Sequence, residues 1–167
     1  MISPSEVNYR AERLDDENYK LRSFLKNRAD EKELDRQFLE LHNELFENYD
    51  CSNCRNCCKE YAAILKETET EAIAAFLQMS KEDFITQYAN NGCDRYELKD
   101  TPCCFLTDEN ICQIEDCKPQ NCKDYPYTNK PGRLWSLLGV MGSVSVCPVV
   151  FEIVERLKRL YGFRSKR

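Results

Sequence analysis

Four cysteines fall within eight residues in the segment CSNCRNCCKE, residues 51–60, which includes the adjacent pair Cys57 and Cys58. A Cys-x2-Cys turn directs two sulfurs at one metal ion, and the first three cysteines extend that spacing to a third ligand. The same spacing opens the ferredoxin-type cluster run, in which a remote cysteine followed by proline completes a cluster. Cys147-Pro148 is such a remote pair. The pattern predicts zinc or iron–sulfur ligation.

The adjacent cysteines predict more than one centre. Neighbouring side chains point to different sides of an extended backbone, so Cys57 and Cys58 do not readily serve one ion. Cys58 then belongs to a second site or bridges two. Further thiols follow at Cys93, Cys103, Cys104, Cys112, Cys117 and Cys122.

Composition favours metal ligation over structural disulfides. A chain of 167 residues with eleven cysteines is longer than the ~70–80 residues below which disulfide staples are usually needed. Acidic residues interrupt the first twenty positions, unlike a secretory signal, and no apolar run approaches the ~18 residues of a membrane span. We therefore expect a cytoplasmic protein, where thiols stay reduced. Disulfides and inert buried cysteines remain as alternatives.

Charge patterning argues against nucleic acid as a partner. The net charge is −5 at pH 7, so the chain has no overall basic field to attract phosphates. The expected partners are metal ions and a protein.

Two amphipathic helices are predicted ahead of the cysteines. The second is capped by Asp30 with Glu33, and its apolar stripe lies at Leu34, Phe38, Leu41 and Leu45. An earlier helix from about Ser5 to Asn27 places Leu14, Leu21 and Leu25 on one side. Residues 1–49 are therefore an N-terminal helical arm, either purely structural or a surface for a protein partner.

Short elements are predicted between the cysteine segments. YAAIL indicates a short strand, and helices begin at Thr68 with Glu71 and at Ser80 with Asp83. Asn90-Asn91-Gly92 is typical of a left-handed helix end. CCFLT and ICQIE predict a hairpin.

The last third of the chain predicts a strand, a helix and a tail. The strand spans Gly142 to Val146, and a closing helix runs from Pro148 to about Tyr161, ended by Gly162. Residues 162–167 form a basic tail. The predicted fold is mainly α with a small β-hairpin, and the cysteine-cluster domain at 50–161 has an irregular core organised by metal.

Four segments of the chain resemble the YkgJ-type cysteine-cluster proteins: CSNCRNCC, PCCFL, CQIEDCKPQNCKDYP and the late CP. This family carries the CxxCxxCC zinc- or iron-chelating domain, which is also similar to part of flagellin lysine-N-methylases. The family pattern falls on Cys51, Cys54, Cys57, Cys58, Cys103, Cys112, Cys122 and Cys147. Lysine replaces the family's arginine at Lys118 and Lys123, and Ile114-Glu115-Asp116 stands where the family has Ile-Tyr-Glu.

Eight matched thiols suggest two four-thiolate centres. The preferred partition places Cys51, Cys54, Cys57 and Cys147 on one, and Cys58, Cys103, Cys112 and Cys122 on the other. Zinc or a 4Fe-4S cluster accepts either set. Four thiolates leave a zinc site with two negative charges. The cations beside the ligands in sequence either offset that charge or are ordinary surface residues: Arg55, Lys59, Lys118 and Lys123. The sole histidine, His42, is expected to be a helix residue and not a ligand.

Motifs for catalysis are not found: the chain has neither a phosphate-binding loop nor a dinucleotide fingerprint. The sequence therefore favours a metal-binding module, structural or accessory, that binds a protein partner. The alternative is an iron–sulfur electron-transfer protein or an accessory to a methylase-like, protein-modifying enzyme. Cys93, Cys104 and Cys117 are spare thiols, for which redox chemistry is a further option.

Overall fold

The computed structural model describes residues 1–92 and 94–164, so Cys93 and the end of the predicted basic tail lie outside the described residues. The chain forms two compact units. The first combines residues 1–50 with 126–167, and the second is residues 51–125. The predicted boundaries at 49/50 and 161/162 stay predictions.

Helices make up the first unit. They are α1 (Val7–Arg13), α2 (Asp15–Arg28), α3 (Glu31–Phe46), α8 (Arg133–Ser143) and α9 (Pro148–Leu160), numbered in chain order with the second unit's helices between. Their buried apolar side chains include Leu21, Leu25, Leu34, Phe38, Leu137, Ile153 and Leu157. We call this first unit the helical unit.

Two predicted helices of the helical unit are confirmed. In α3 all four stripe residues are buried, and the Asp30 carboxylate accepts a hydrogen bond from the Glu33 amide. In α9 Pro148 occupies the first turn, and Gly162 follows the helix with a positive φ of 57°. Capping and apolar periodicity act locally, which is why they predict these elements well.

Two other predictions for the helical unit are wrong. The single helix predicted from Ser5 to Asn27 is divided at Leu14 into α1 and α2. The predicted strand from Gly142 to Val146 is the end of α8 and a turn, in which the Val146 amide donates to the Ser143 carbonyl. Apolar side chains of α8 pack into a helical core, and burial outweighs the strand preference of valine.

Short elements make up the second unit, which we call the cysteine unit. The helices are α4 (Asn56–Glu60), α5 (Glu67–Phe76), α6 (Lys81–Tyr88) and α7 (Gln120–Asp124). The strands β1 (Ile64–Leu65), β2 (Ala89–Asn91) and β3 (Tyr96–Leu98) form an antiparallel sheet in the order β1-β3-β2. Single 3-10 turns lie at Cys51–Asn53 and Glu115–Cys117.

A small apolar cluster forms the core of the cysteine unit. Phe84 is fully buried, with its ring stacked 6.3 Å from that of Phe105, and Leu65, Ile73 and Leu98 complete the centre. Half-buried cysteines pack against this cluster: Cys103, Cys104, Cys112, Cys117 and Cys122. The thiols therefore form one wall of the core.

The predicted cap at Asn90-Asn91-Gly92 is wrong, because these residues belong to the β2–β3 hairpin. The Gly92 amide donates to the Arg95 carbonyl over 2.9 Å. A Cβ at position 92 would lie 2.7 Å from that oxygen, so close backbone approach requires glycine here.

The start of α5 is also predicted wrongly, since Glu69 accepts from the Lys66 amide and Thr68 lies inside the helix. The start of α6 at Ser80 is confirmed. The CCFLT–ICQIE hairpin is reduced to one antiparallel bridge between Leu106 and Cys112. A mainly α fold with a small hairpin is confirmed, and no helix within 1–92 and 94–164 is long and apolar enough to cross a membrane.

Candidate metal centre

The CxxCxxCC segment folds back on itself through two short helical turns. The Cys51 carbonyl accepts hydrogen bonds from the amides of Cys54 and Arg55, at 3.0 and 3.2 Å. Arg55 then adopts a left-handed conformation, with φ of 55°, and α4 begins. Reversal at Arg55 lets Cys51, Cys57 and Cys58 line the same pocket.

A backbone hydrogen bond joins the second cysteine segment to the first. The Cys103 amide donates to the Cys58 carbonyl over 2.8 Å. The Leu106–Cys112 bridge then returns the chain toward this point. Two segments distant in sequence thus meet at Cys58 and Cys103.

Helix α7 brings a third segment to the same pocket. The Gln120 amide donates to the Glu69 carboxylate over 2.8 Å, and the Ile64 amide donates to the Asn121 side chain over 3.3 Å. These bonds fix α7 against α5 and β1. Cys122, half-buried on α7, lines the pocket with Cys58 and Cys103.

The four thiols predicted for the second centre interact electrostatically. Besides burial, ionisation of Cys58, Cys103 or Cys112 raises the pKa of the Cys122 thiol, and ionisation of Cys58 raises the pKa of Cys103. Like charges this close disfavour one another, so a bound cation would relieve the repulsion.

Two of these thiols ionise readily. A hydrogen bond from Cys57 lowers the pKa of Cys58 to about 6, helped by Lys118 and Arg55. A hydrogen bond with Cys104, together with the backbone amides of Phe105 and Leu106, lowers the pKa of Cys103 to about 7. Thiolates are the form that binds metal.

The other two thiols of the set keep their protons. Burial raises the pKa of Cys122 to about 12, and burial also raises the pKa of Cys112. A metal ion must displace those protons, so binding at this set releases protons.

Of the four predicted charge-balancing cations, Arg55 is buried and Lys118 is half-buried. Arg55 is 7% exposed and pairs with Glu115 at 2.9 Å, and Lys118 pairs with the same carboxylate at 3.1 Å. Burial disfavours charge on Arg55 and Lys118, but the pairing with Glu115 outweighs it and raises the pKa of both. Lys59 and Lys123 are exposed.

The pocket beside these thiols has a volume of about 80 Å³. Tyr61 and Tyr125 form part of its wall, with ring centroids 5.6 Å apart. Tyr61 follows α4 directly, and Tyr125 follows α7 directly. The pocket is larger than the 10–15 Å³ or so that admits one water molecule.

The other predicted ligands do not line this pocket. Cys54 and Cys112 are half-buried, and neither lines the pocket. Cys147 is buried in the helical unit, at the residue before α9. Of the spare thiols, Cys104 bonds Cys103, which raises the pKa of Cys104, and burial raises that of Cys117, at the end of a 3-10 turn. His42 is half-buried on α3, with Nδ1 2.8 Å from the Thr128 hydroxyl.

Thiols are suitable metal ligands, but in this arrangement they do not surround a common point. The ten described cysteines are reduced. Among the described residues, no three or more Cys, His, Asp or Glu side chains are arranged so that they could hold a metal ion as they stand. Loading therefore requires thiol side chains to turn toward a common point. An all-sulfur donor set suits zinc or iron–sulfur clusters.

A family model matches residues 50–138, more than half of the chain. This model is CxxCxxCC, described as "Putative zinc- or iron-chelating domain". The chain belongs to this family, and residues 50–138 are its metal-binding domain. The matched range contains every predicted ligand except Cys147. No curated protein and no solved structure matches the chain.

Proposed function

We propose that the chain binds metal through two four-thiolate centres. One is formed by Cys58, Cys103, Cys112 and Cys122, which we call centre B. The other, centre A, is formed by Cys51, Cys54, Cys57 and Cys147. All eight cysteines stand at positions that match cysteines of the family pattern.

The observation that carries the proposal is the convergence of three separate segments at centre B. The Cys103 amide donates to the Cys58 carbonyl over 2.8 Å, and Cys122 lines the same pocket as these two cysteines. Two of the thiols ionise near neutral pH, and the buried Arg55 and the half-buried Lys118 lie beside them. Support for centre A comes from the Cys-x2-Cys-x2-Cys spacing and the remote Cys147-Pro148 pair.

Zinc and a 4Fe-4S cluster are the two candidate occupants. A bound metal would hold the three cysteine segments together, with its free energy of binding contributing to folding. The role that follows is structural or accessory: a cytoplasmic metal-binding module whose N-terminal helices present a surface to a protein partner. We assign it no reaction and no nucleic-acid partner.

The cysteine spacing supports the second candidate function. Cys51, Cys54 and Cys57 follow the Cys-x2-Cys-x2-Cys run of ferredoxin-type proteins, and Cys147-Pro148 is the remote pair that completes such a run. The chain would then serve in electron transfer or assist a methylase-like, protein-modifying enzyme.

Elemental analysis with anaerobic absorption spectroscopy tests the proposal. A colourless protein with two zinc ions per chain supports structural centres. A brown protein absorbing near ~400 nm, as thiolate-ligated clusters do, supports the iron–sulfur function. Purified protein without stoichiometric metal, and unable to take it up under reducing conditions, would refute both.

Single Cys→Ser variants test the partition. Loss of Cys122 and loss of Cys112 are expected to remove the same centre and leave the other loaded, because both belong to centre B. Cys117→Ser is the matched control, since Cys117 lies between them in sequence but outside both sets. Variants that each lower the metal content of both centres equally would show that the partition is wrong.

A further inference from the structure

Arg55 occupies a backbone conformation that arginine rarely adopts. Its φ of 55° lies in the left-handed region, which is uncommon for residues other than glycine, asparagine and aspartate. Such a conformation persists only where the surroundings enforce it. Glycine would adopt the same conformation without this strain.

The guanidinium of Arg55 is buried with a donor unused. Only 7% of the residue is exposed, and one terminal nitrogen donates to Glu115 over 2.9 Å. The Nε–H group is buried and has no hydrogen-bond partner among the described residues. A buried unpaired donor carries a desolvation cost, so it calls for an acceptor that moves within hydrogen-bond distance when the centre is loaded.

Thiolates of centre B are the acceptors at hand. The charge of Arg55 interacts with the Cys58 and Cys112 sulfurs, and Arg55 and Cys58 line the same pocket. Resting on the proposed function, we infer that Arg55 is a positioning residue of centre B, whose buried guanidinium donates an N–H···S hydrogen bond to a thiolate of the loaded centre. This bond orients the ligand and offsets its charge.

Lys118 plays a different part beside the same centre. Its ammonium is a compact point charge, whereas the planar guanidinium carries donors in fixed directions. Both cations share Glu115, which holds the Arg55 fork in place. The inference therefore predicts that charge alone, as supplied by lysine at position 55, does not replace arginine.

The experiment measures the zinc dissociation constant of the full chain by competition with a chromophoric chelator. Arg55→Lys and Arg55→Gln are expected to weaken binding at one of the two centres about 10–100-fold, as for other partners of metal ligands. Lys118→Gln is expected to weaken it less than Arg55→Lys does. The matched control is Arg95→Gln, which removes an exposed arginine of the same unit and leaves both constants unchanged.

The Arg55→Gly variant tests the side-chain hydrogen bond independently of the backbone conformation. Glycine relieves the left-handed strain, so this variant keeps its fold in the metal-loaded protein but loses affinity at centre B. Wild-type affinity in Arg55→Lys or Arg55→Gly would overturn the inference while leaving the metal centres standing. If the wild-type chain takes up no zinc, the proposed function itself fails.

Discussion

Removal of the metal is expected to unfold the cysteine unit and leave the helical unit folded. The cysteine unit has about 75 residues, a size at which a hydrophobic core rarely supplies more than about 3–5 kcal/mol. Its strands are two or three residues long. A structural zinc site contributes about 10–16 kcal/mol in small metal domains, so loss of the metal exceeds what the core can sustain.

The expected loss of helical signal follows from the helix lengths. The helices of the cysteine unit contain 5, 10, 8 and 5 residues. Those of the helical unit contain 7, 14, 16, 11 and 13 residues. Complete chelation under reducing conditions should therefore lower the helical circular dichroism by about one third, and returning zinc should restore it.

The single tryptophan provides an internal control. Trp135 lies on α8, where its indole N–H donates to Glu31 over 3.0 Å and Lys26 stands 5.1 Å from the ring centroid. All three residues belong to the helical unit, so tryptophan fluorescence should stay constant through chelation. Unchanged helicity after metal removal, or a fall in helicity accompanied by a shift of the tryptophan emission, would refute the reasoning.

Two further predictions concern the cores of the separate units. Phe84→Ala removes a fully buried ring stacked on Phe105 and should lower the free energy of unfolding of the metal-loaded cysteine unit by about 3–5 kcal/mol; a loss below about 1 kcal/mol in denaturant titrations would show that the ring is not essential to packing. Burial lowers the pKa of His42 below 6.5. The unfolded chain then binds a proton before the folded one does, so stability falls as pH drops through 6.5. His42→Gln should remove that part of the slope in titrations above and below this pH, and an identical slope in both proteins would contradict the assignment.

Sequence patterns predicted the parts of the fold that local interactions decide. The α3 stripe and its Asp30 cap, the Pro148 start of α9 and the Ser80 cap each depend on neighbours within four residues. The helical state of Gly142 and Ser143 depends on the packing of α8 against α2, α3 and α9, and no local signal marks the division of the first helix at Leu14. No spacing within one segment reports such contacts.

The candidate site shows the same division. Cysteine spacing and the resemblance predicted the CxxCxxCC ligands, and Arg55 was predicted because it lies between them. The pairing of Arg55 with Glu115 joins positions far apart in sequence, and burial alone distinguishes Arg55 and Lys118 from Lys59 and Lys123. The β2–β3 hairpin was missed because Gly92 serves a tight backbone approach rather than a helix end.

The helical unit is assembled from both ends of the chain, with the cysteine unit inserted between Asp50 and Pro126. During synthesis, helices α8 and α9 are made last, about 2–8 s after the cysteine segments at translation rates of ~5–20 residues per second. During that interval the apolar stripe of α3 is not yet covered by α8 and α9, which pack against it in the folded protein. The insertion therefore gives the nascent chain a period in which every matched cysteine but Cys147 has been translated, so a cellular metal donor would meet centre B before the helical unit is complete.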